Sequence, residues 1–150
     1  MKQFSFRLQR LLQLREAAEK DRARQLGEAL REEEARREAL RQSQERLETA
    51  RDQLMTTPNE MMQAGTLRNL ELSVEMLAGQ ARSLEDTHMK SLEKVEEERM
   101  RFEQARVARR VIERLREHRR EAWGVEVNRL EQVINDEAGQ RVHGAREQPE

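Results

Sequence analysis

Between Met55 and Thr66 the chain reads MTTPNEMMQAGT, a stretch that holds Pro58, Asn59 and Gly65 and only one charge, Glu60. Long segments of Glu, Arg, Leu and Ala lie on either side, and the one other proline is Pro149. Those residues favour helix, whereas proline and glycine end it. The expected organisation is a helix over about 4–54, a linker over 55–66 and a second helix over about 66–137, with Thr66 as a possible N-cap. Gly139, Gly144 and Pro149 predict a mobile tail over 138–150. The 150 residues are read as one domain.

Composition agrees with helices and not with a globule. The chain is 39% charged, 35% hydrophobic and 3% aromatic, which leaves apolar surface for a thin interhelical stripe but not for a thick core. It contains no cysteine, so disulfides and thiolate chemistry are excluded, as suits a reducing compartment. No apolar run approaches the roughly 20 residues that span a bilayer. Arg7, Gln9 and Arg10 interrupt the opening, so it is not a secretory signal; its acid-free, Arg-bearing start has some likeness to a mitochondrial presequence, but the helical pattern runs on into Glu16 and Glu19.

The second helix carries an unbroken heptad. Steps of seven from Leu67 pass through Val74, Ala81, His88, Val95, Phe102, Arg109, Arg116, Trp123 and Leu130. Steps from Leu70 pass through Leu77, Leu84, Ser91, Glu98, Ala105, Ile112, Arg119, Glu126 and Val133. Thirteen of these twenty positions are apolar, about twice the chain average, and such a period predicts a left-handed coiled coil. The first helix is less regular. Leu12, Leu26, Leu40, Leu47 and Leu54 share one row, Leu8, Ala29, Ser43 and Ala50 the next, with Glu19, Glu33, Arg15, Arg22 and Arg36 between them.

If the chain doubles back at Pro58, residues whose numbers sum to about 120 or 121 fall opposite each other. Leu54 then meets Leu67, Leu47 meets Val74, Leu26 meets Val95 and Leu8 meets Ile112. Glu33 faces His88, and Arg22 faces Glu98. Two layers fit badly, Leu12 with Arg109 and Arg36 with Leu84, unless the arginines extend along their stems to water. A parallel homodimer would instead set Arg109, Arg116, Arg119 and Glu33 each against its own copy, with like charges repelling. The predicted fold is therefore all-α, a long two-helix antiparallel coiled-coil hairpin. Its first helix runs out of partner near Arg116, so the second is expected to overhang from Glu117 to about Val133.

No constellation supports catalysis, and the chain reads as a non-enzyme. His88, His118 and His143 are far apart, and the glutamates of EALREEEARRE alternate with arginines as in a solvated helix face laced with i,i+4 pairs. There is no phosphate-binding glycine loop and no metal-ligand spacing, so no cofactor and no small-molecule substrate is expected. The hairpin would bring the arginine-rich RFEQARVARRVIERLREHRR (Arg101–Arg120) beside Lys2, Arg7, Arg10 and Arg15 in one basic tip that also carries Phe4, Phe6 and Leu11 as exposed apolar groups. Nucleic acid suits a basic helix, as in a basic leucine zipper. But Glu103, Glu113, Glu117 and Glu121 interrupt the run and no base-reading residue is interleaved, so no nucleic-acid partner is expected. An anionic membrane surface is a further option. An acidic protein socket accounts for both the charge and the apolar groups.

The opening FSFRLQRLLQLRE (Phe4–Glu16), followed by a charged helix, a break near residue 60 and a longer basic helix, resembles the FliJ family of flagellar type III export proteins; the related YscO-type injectisome stalks are similar in outline. The opening motif falls here on Phe4, Phe6, Leu8, Leu11, Leu12 and Arg15. LEQVINDEAGQR (Leu130–Arg141) departs from the family's usual acidic-aliphatic C-terminal run. The resemblance implies a non-enzymatic, cytoplasmic stalk that couples ATP hydrolysis to export. Its paired terminal end would enter the ring of the hexameric export ATPase through Phe4, Phe6, Arg7, Arg10, Leu11, Arg15, Arg114, Arg116, Arg119 and Trp123. Its linker end would meet the cytoplasmic domain of the export gate through Met55, Met61, Met62, Leu72 and Met76. It also implies handling of export chaperones and a peripheral place, through these partners, at the inner face of the membrane beneath the flagellum. A tethering or cytoskeletal coiled coil would share the middle of the sequence but has no need of the opening motif.

Overall fold

The computed structural model describes residues 3–57 and 63–146, with backbone alone for 142–146. It is an all-α helical hairpin of two helices, α1 (Gln9–Thr56) and α2 (Ala64–Arg146), that pack against each other, with no strand among the described residues. α1 starts at Gln9 where 4 was expected, because Gln3–Leu8 is not helical. α2 runs on to Arg146, through most of the stretch expected to form a tail. Gly139 costs a helix about 1 kcal/mol relative to alanine but does not break it as an internal proline would. The proline of the expected linker, Pro58, and Asn59 to Met62 lie outside the described residues, as do Met1, Lys2 and 147–150.

The chain resolves into two compact units that share both helices. Unit 2 is Glu19–Gln104; unit 1 combines Met1–Ala18 with Ala105–Glu150.

In unit 2 the heptad of α2 is the packing seam. Every position of the two rows from Leu67 to Phe102 is buried or half-buried, with Ala81, Ser91, Val95 and Glu98 the most enclosed. On α1 the buried set is Ala29, Ser43 and Leu47, with Arg22, Leu26, Glu33, Leu40, Ala50 and Leu54 half-buried. The helices are antiparallel. Glu32 and Glu33 meet Lys94 and His88, while Gln42 to Gln53 line a groove with Leu70, Ser73 and Leu77.

The charged layers are only partly as expected. Glu33 Oε1 and His88 Nε2 are 2.9 Å apart, with side chains 12% and 16% exposed. Beside them Lys94 Nζ donates to Glu32 Oε2 at 2.7 Å. Arg22 does not pair with Glu98: it donates to Gln25 Oε1 at 2.8 Å, and Glu98 Oε1 accepts from Arg101 at 2.8 Å. Both found partners three residues away on their own helix, which needs less side-chain ordering than reaching across the seam. Glu98 Oε2 and Ser43 Oγ are left buried without a hydrogen bond. Arg36 stays exposed, its guanidinium 4.0 Å from Glu32, so its layer is relieved as a long stem allows.

In unit 1 the seam continues through Ala105, Arg109, Ile112 and Arg116, then stops: Arg119, Glu126, Leu130 and Val133 are exposed. The overhang nonetheless differs from expectation at Trp123, which is half-buried because the Phe4 ring lies on it, centroids 5.8 Å apart and planes at 56°. The expected register would set Phe4 level with residue 117. Residues 3–6 are neither helix nor turn, and such chain can rise by up to about 3.3 Å per residue against about 1.5 Å in a helix, so the segment ahead of the Phe6–Gln9 turn reaches further along α2 than a helical start would. That gain carries Phe4 to Trp123.

The segment is weakly held. Burying Phe6 and half of Phe4 stabilises it by about 4 kcal/mol, with about 1 kcal/mol more from the aromatic pair. Fixing five backbone residues costs about 5–10 kcal/mol. Burial thus offsets the low end of the ordering cost and little more.

The Glu33–His88 layer generates a prediction. His88→Ala leaves the Glu33 carboxylate enclosed without its hydrogen bond and destabilises the hairpin by about 1–3 kcal/mol in denaturant titration, whereas the double substitution Glu33→Leu with His88→Leu recovers that loss or exceeds it. A second concerns pH. The hydrogen bond from Lys94, then its charge, holds the Glu32 carboxyl below its ordinary value, and Glu32 likewise raises the Lys94 ammonium. Their stabilisation is present above the ordinary glutamate pKa of 4.5, lost as pH falls through the depressed value, and lost on the alkaline side as Lys94 deprotonates above 10.5. Lys94→Met therefore moves the Glu32 titration upward, as read by NMR of its side-chain carboxyl carbon.

Candidate functional site

The opening of the chain builds most of the first candidate surface. With Gln3–Leu8 outside the helix, the Gln9 N–H donates to the Phe6 carbonyl at 3.0 Å and the Leu12 N–H to that of Leu8 at 3.0 Å. No carboxylate stands in the first turn of α1, so its N-terminal end and Arg10 together present positive potential. Inside the turn Leu12 is 1% exposed, the most enclosed side chain described, and Phe6 is 8% exposed.

All ten residues expected at the terminal tip fall in unit 1. Their exposure corrects the expectation, however. Phe4, Phe6 and Leu11 are not free apolar groups: Phe6 is buried, Phe4 and Leu11 are half-buried, and Phe4 is engaged with Trp123. Aromatic rings next to an available apolar helix face fold onto it before they wait for a partner. Arg7, Arg10, Arg15, Arg114 and Arg119 remain exposed, and Arg116 is half-buried. Arg109, also half-buried, donates to Glu113 at 2.5 Å.

The exposed apolar side chains of unit 1 are others: Leu130, Val133 and Ile134 on the overhang, and Leu14, Val107, Val111 and Val125, the last 71% exposed. The heptad phase contains the signal, since 107, 111 and 125 fall in neither row of α2 and lie on its far side. Apolar identity alone hides it.

Unit 1 also concentrates positive charge. Residues 1–18 and 105–150 hold fourteen Lys or Arg against ten Asp or Glu, while 19–104 hold fifteen against twenty.

The second candidate surface lies in unit 2. Met55 is 85% exposed, and Leu72 and Met76 are also exposed. Leu54 and Val74 line a shallow open groove with Arg68, Glu71, Leu72 and Glu75. Met61 and Met62 lie outside the described residues.

Catalytic geometry does not emerge from these surfaces. Among the described residues no three His, Asp or Glu side chains come together in a way that could hold a metal ion, and no helix is long and apolar enough to cross a membrane. The strongest electrostatic perturbations are local: the Glu38 carboxyl is lowered to about 2 by hydrogen bonds from Arg41 and Gln42 on the solvent face of α1.

Against known proteins, no curated protein and no solved structure matches the chain. A family model described as flagellar FliJ protein matches residues 4–148. That span takes in the aromatic opening and both helices, and the chain belongs to the flagellar FliJ protein family.

Proposed function

We propose that this protein is the stalk of a flagellar type III export apparatus, a non-enzymatic coupling component whose unit 1 enters the ring of the hexameric export ATPase. Membership of the FliJ family supports a flagellar, export-related role. The observation that carries the finer reading is the partition of charge: unit 1 has the excess of arginine, and Arg7, Arg10, Arg15, Arg114 and Arg119 are exposed there. An acidic socket would be attracted by such a surface and oriented on it. The half-buried aromatics then act mainly inside unit 1, holding the arginine-bearing segment in place.

In the same reading the Met55, Leu72 and Met76 surface meets the cytoplasmic domain of the export gate. Methionine and leucine on an open groove suit adaptable apolar contact. Met61 and Met62 belong to that proposal by sequence position. Handling of export chaperones, a cytoplasmic location and peripheral association with the membrane through these partners complete the assignment.

Two measurements test it. Charge reversal of both Arg7 and Arg10 to Glu weakens binding of the purified hexameric ATPase by about tenfold or more, with a shallower salt dependence, while far-ultraviolet circular dichroism is unchanged; unchanged affinity would remove the basic surface from the contact. Leu72→Asp combined with Met76→Asp weakens binding to the export-gate domain by about tenfold and leaves ATPase binding intact. Loss of both together would mean that the two surfaces do not serve separate partners.

A further inference from the structure

The non-helical segment at the start of the chain is attached to α2 by side chains only. Among the described residues no hydrogen bond or ion pair joins residues 3–8 to α2; the backbone bonds at this point, from Gln9 to Phe6 and from Leu12 to Leu8, stay within the start of α1. Gln3, Ser5 and Arg7 face water, so the attachment reduces to Phe4 on Trp123 and the enclosed Phe6, with Leu8 half-buried.

The surface beneath is peculiar as well. The heptad rows of α2 are exposed at Arg119, Glu126, Leu130 and Val133, so past Arg116 Trp123 is the one half-buried position of those rows, beside half-buried Gly124, Val127 and Glu131. Phe4 on its ring comes from a non-helical arm, and burial of that arm offsets little more than the low end of its ordering cost. The attachment of the arm is therefore marginal, and the arm can leave α2 without unfolding either helix.

We propose that residues 3–8 are a strap that opens and closes on α2 while both helices stay folded, with the Phe4–Trp123 contact as its latch. Closed, the strap hides the indole and holds Arg7 next to α2. Open, it uncovers Trp123 and carries the Arg7 charge away, so unit 1 alternates between a basic surface and an aromatic one. The device rests on unit 1 alone and does not require that the ATPase be the partner. Its test reads the tryptophan and can fail or succeed independently of any binding result.

Trp123 is the only tryptophan and the chain has no tyrosine, so its intrinsic fluorescence reports the strap without labelling. The experiment compares acrylamide quenching and emission maximum in the full-length protein and in Phe4→Ala. A marginally attached strap predicts that Phe4→Ala raises the quenching constant by about twofold and shifts emission to the red, with circular dichroism unchanged. Equal quenching in the two proteins, or loss of helix in Phe4→Ala, would overturn the proposal. A second measurement uses the unmodified protein in a urea titration. The strap predicts that tryptophan exposure changes at lower urea than helical circular dichroism; coincident transitions would show an arm that leaves only when the hairpin unfolds, and would also overturn it.

Discussion

An 83-residue helix in a chain that is 39% charged cannot stabilise itself in water; burial of one narrow row of α2 against α1 is the constraint on which everything else depends. The row is economical. From Leu67 to Phe102 it uses leucine, valine, alanine and phenylalanine at most steps and tolerates His88, Ser91 and Glu98 at the rest. Each tolerated polar residue has a local solution: Glu33 for His88, the His88 carbonyl 2.6 Å from the Ser91 hydroxyl that donates to it, Arg101 for one oxygen of Glu98. A seam this thin leaves nearly every other side chain at the surface.

How far the letters foretold the structure follows from which forces have a period. The heptad of α2 was legible because burial repeats every seven residues, and its rows are enclosed as far as Arg116. The Glu33–His88 layer was legible for the same reason, once the fold-back register was fixed. Arg22 and Glu98 were misjudged because register says which residues face each other, not which of several partners an arginine prefers. The opening was misjudged because no periodicity describes a segment that is not helical. Its greater rise per residue carries Phe4 past the layer at residue 117 and onto Trp123, which turns expected exposed aromatics into packing. Leu14, Val107, Val111 and Val125 show the converse: apolar letters that phase, read without prejudice, assigns to water.

Local ion pairing sets much of the α1 surface apart from the opening of the chain. In unit 2 several arginines are matched by neighbours: Arg24 by Asp21 and Glu28, Arg41 by Glu38 and Glu45, Arg37 by Glu33. These exposed pairs add little to stability, but they neutralise the helix surface and present few unmatched charges to a partner. Net charge summed over the whole chain, minus one, conceals the difference.

Arg7, Arg10 and Arg119 are placed otherwise. None of the three has a carboxylate three or four residues away in the sequence, the spacing at which a helix would satisfy it internally, and all three are exposed. A guanidinium already paired must break that pair before it can bind elsewhere, and the exchange returns little free energy. One paired only with water keeps its whole Coulomb attraction for an incoming carboxylate, at a reach set by the ionic strength. For the docking proposed, the absence of acid from the first fifteen residues is thus a physical condition as well as a mark of composition, and it separates the opening of the chain from the more fully neutralised helix that continues it.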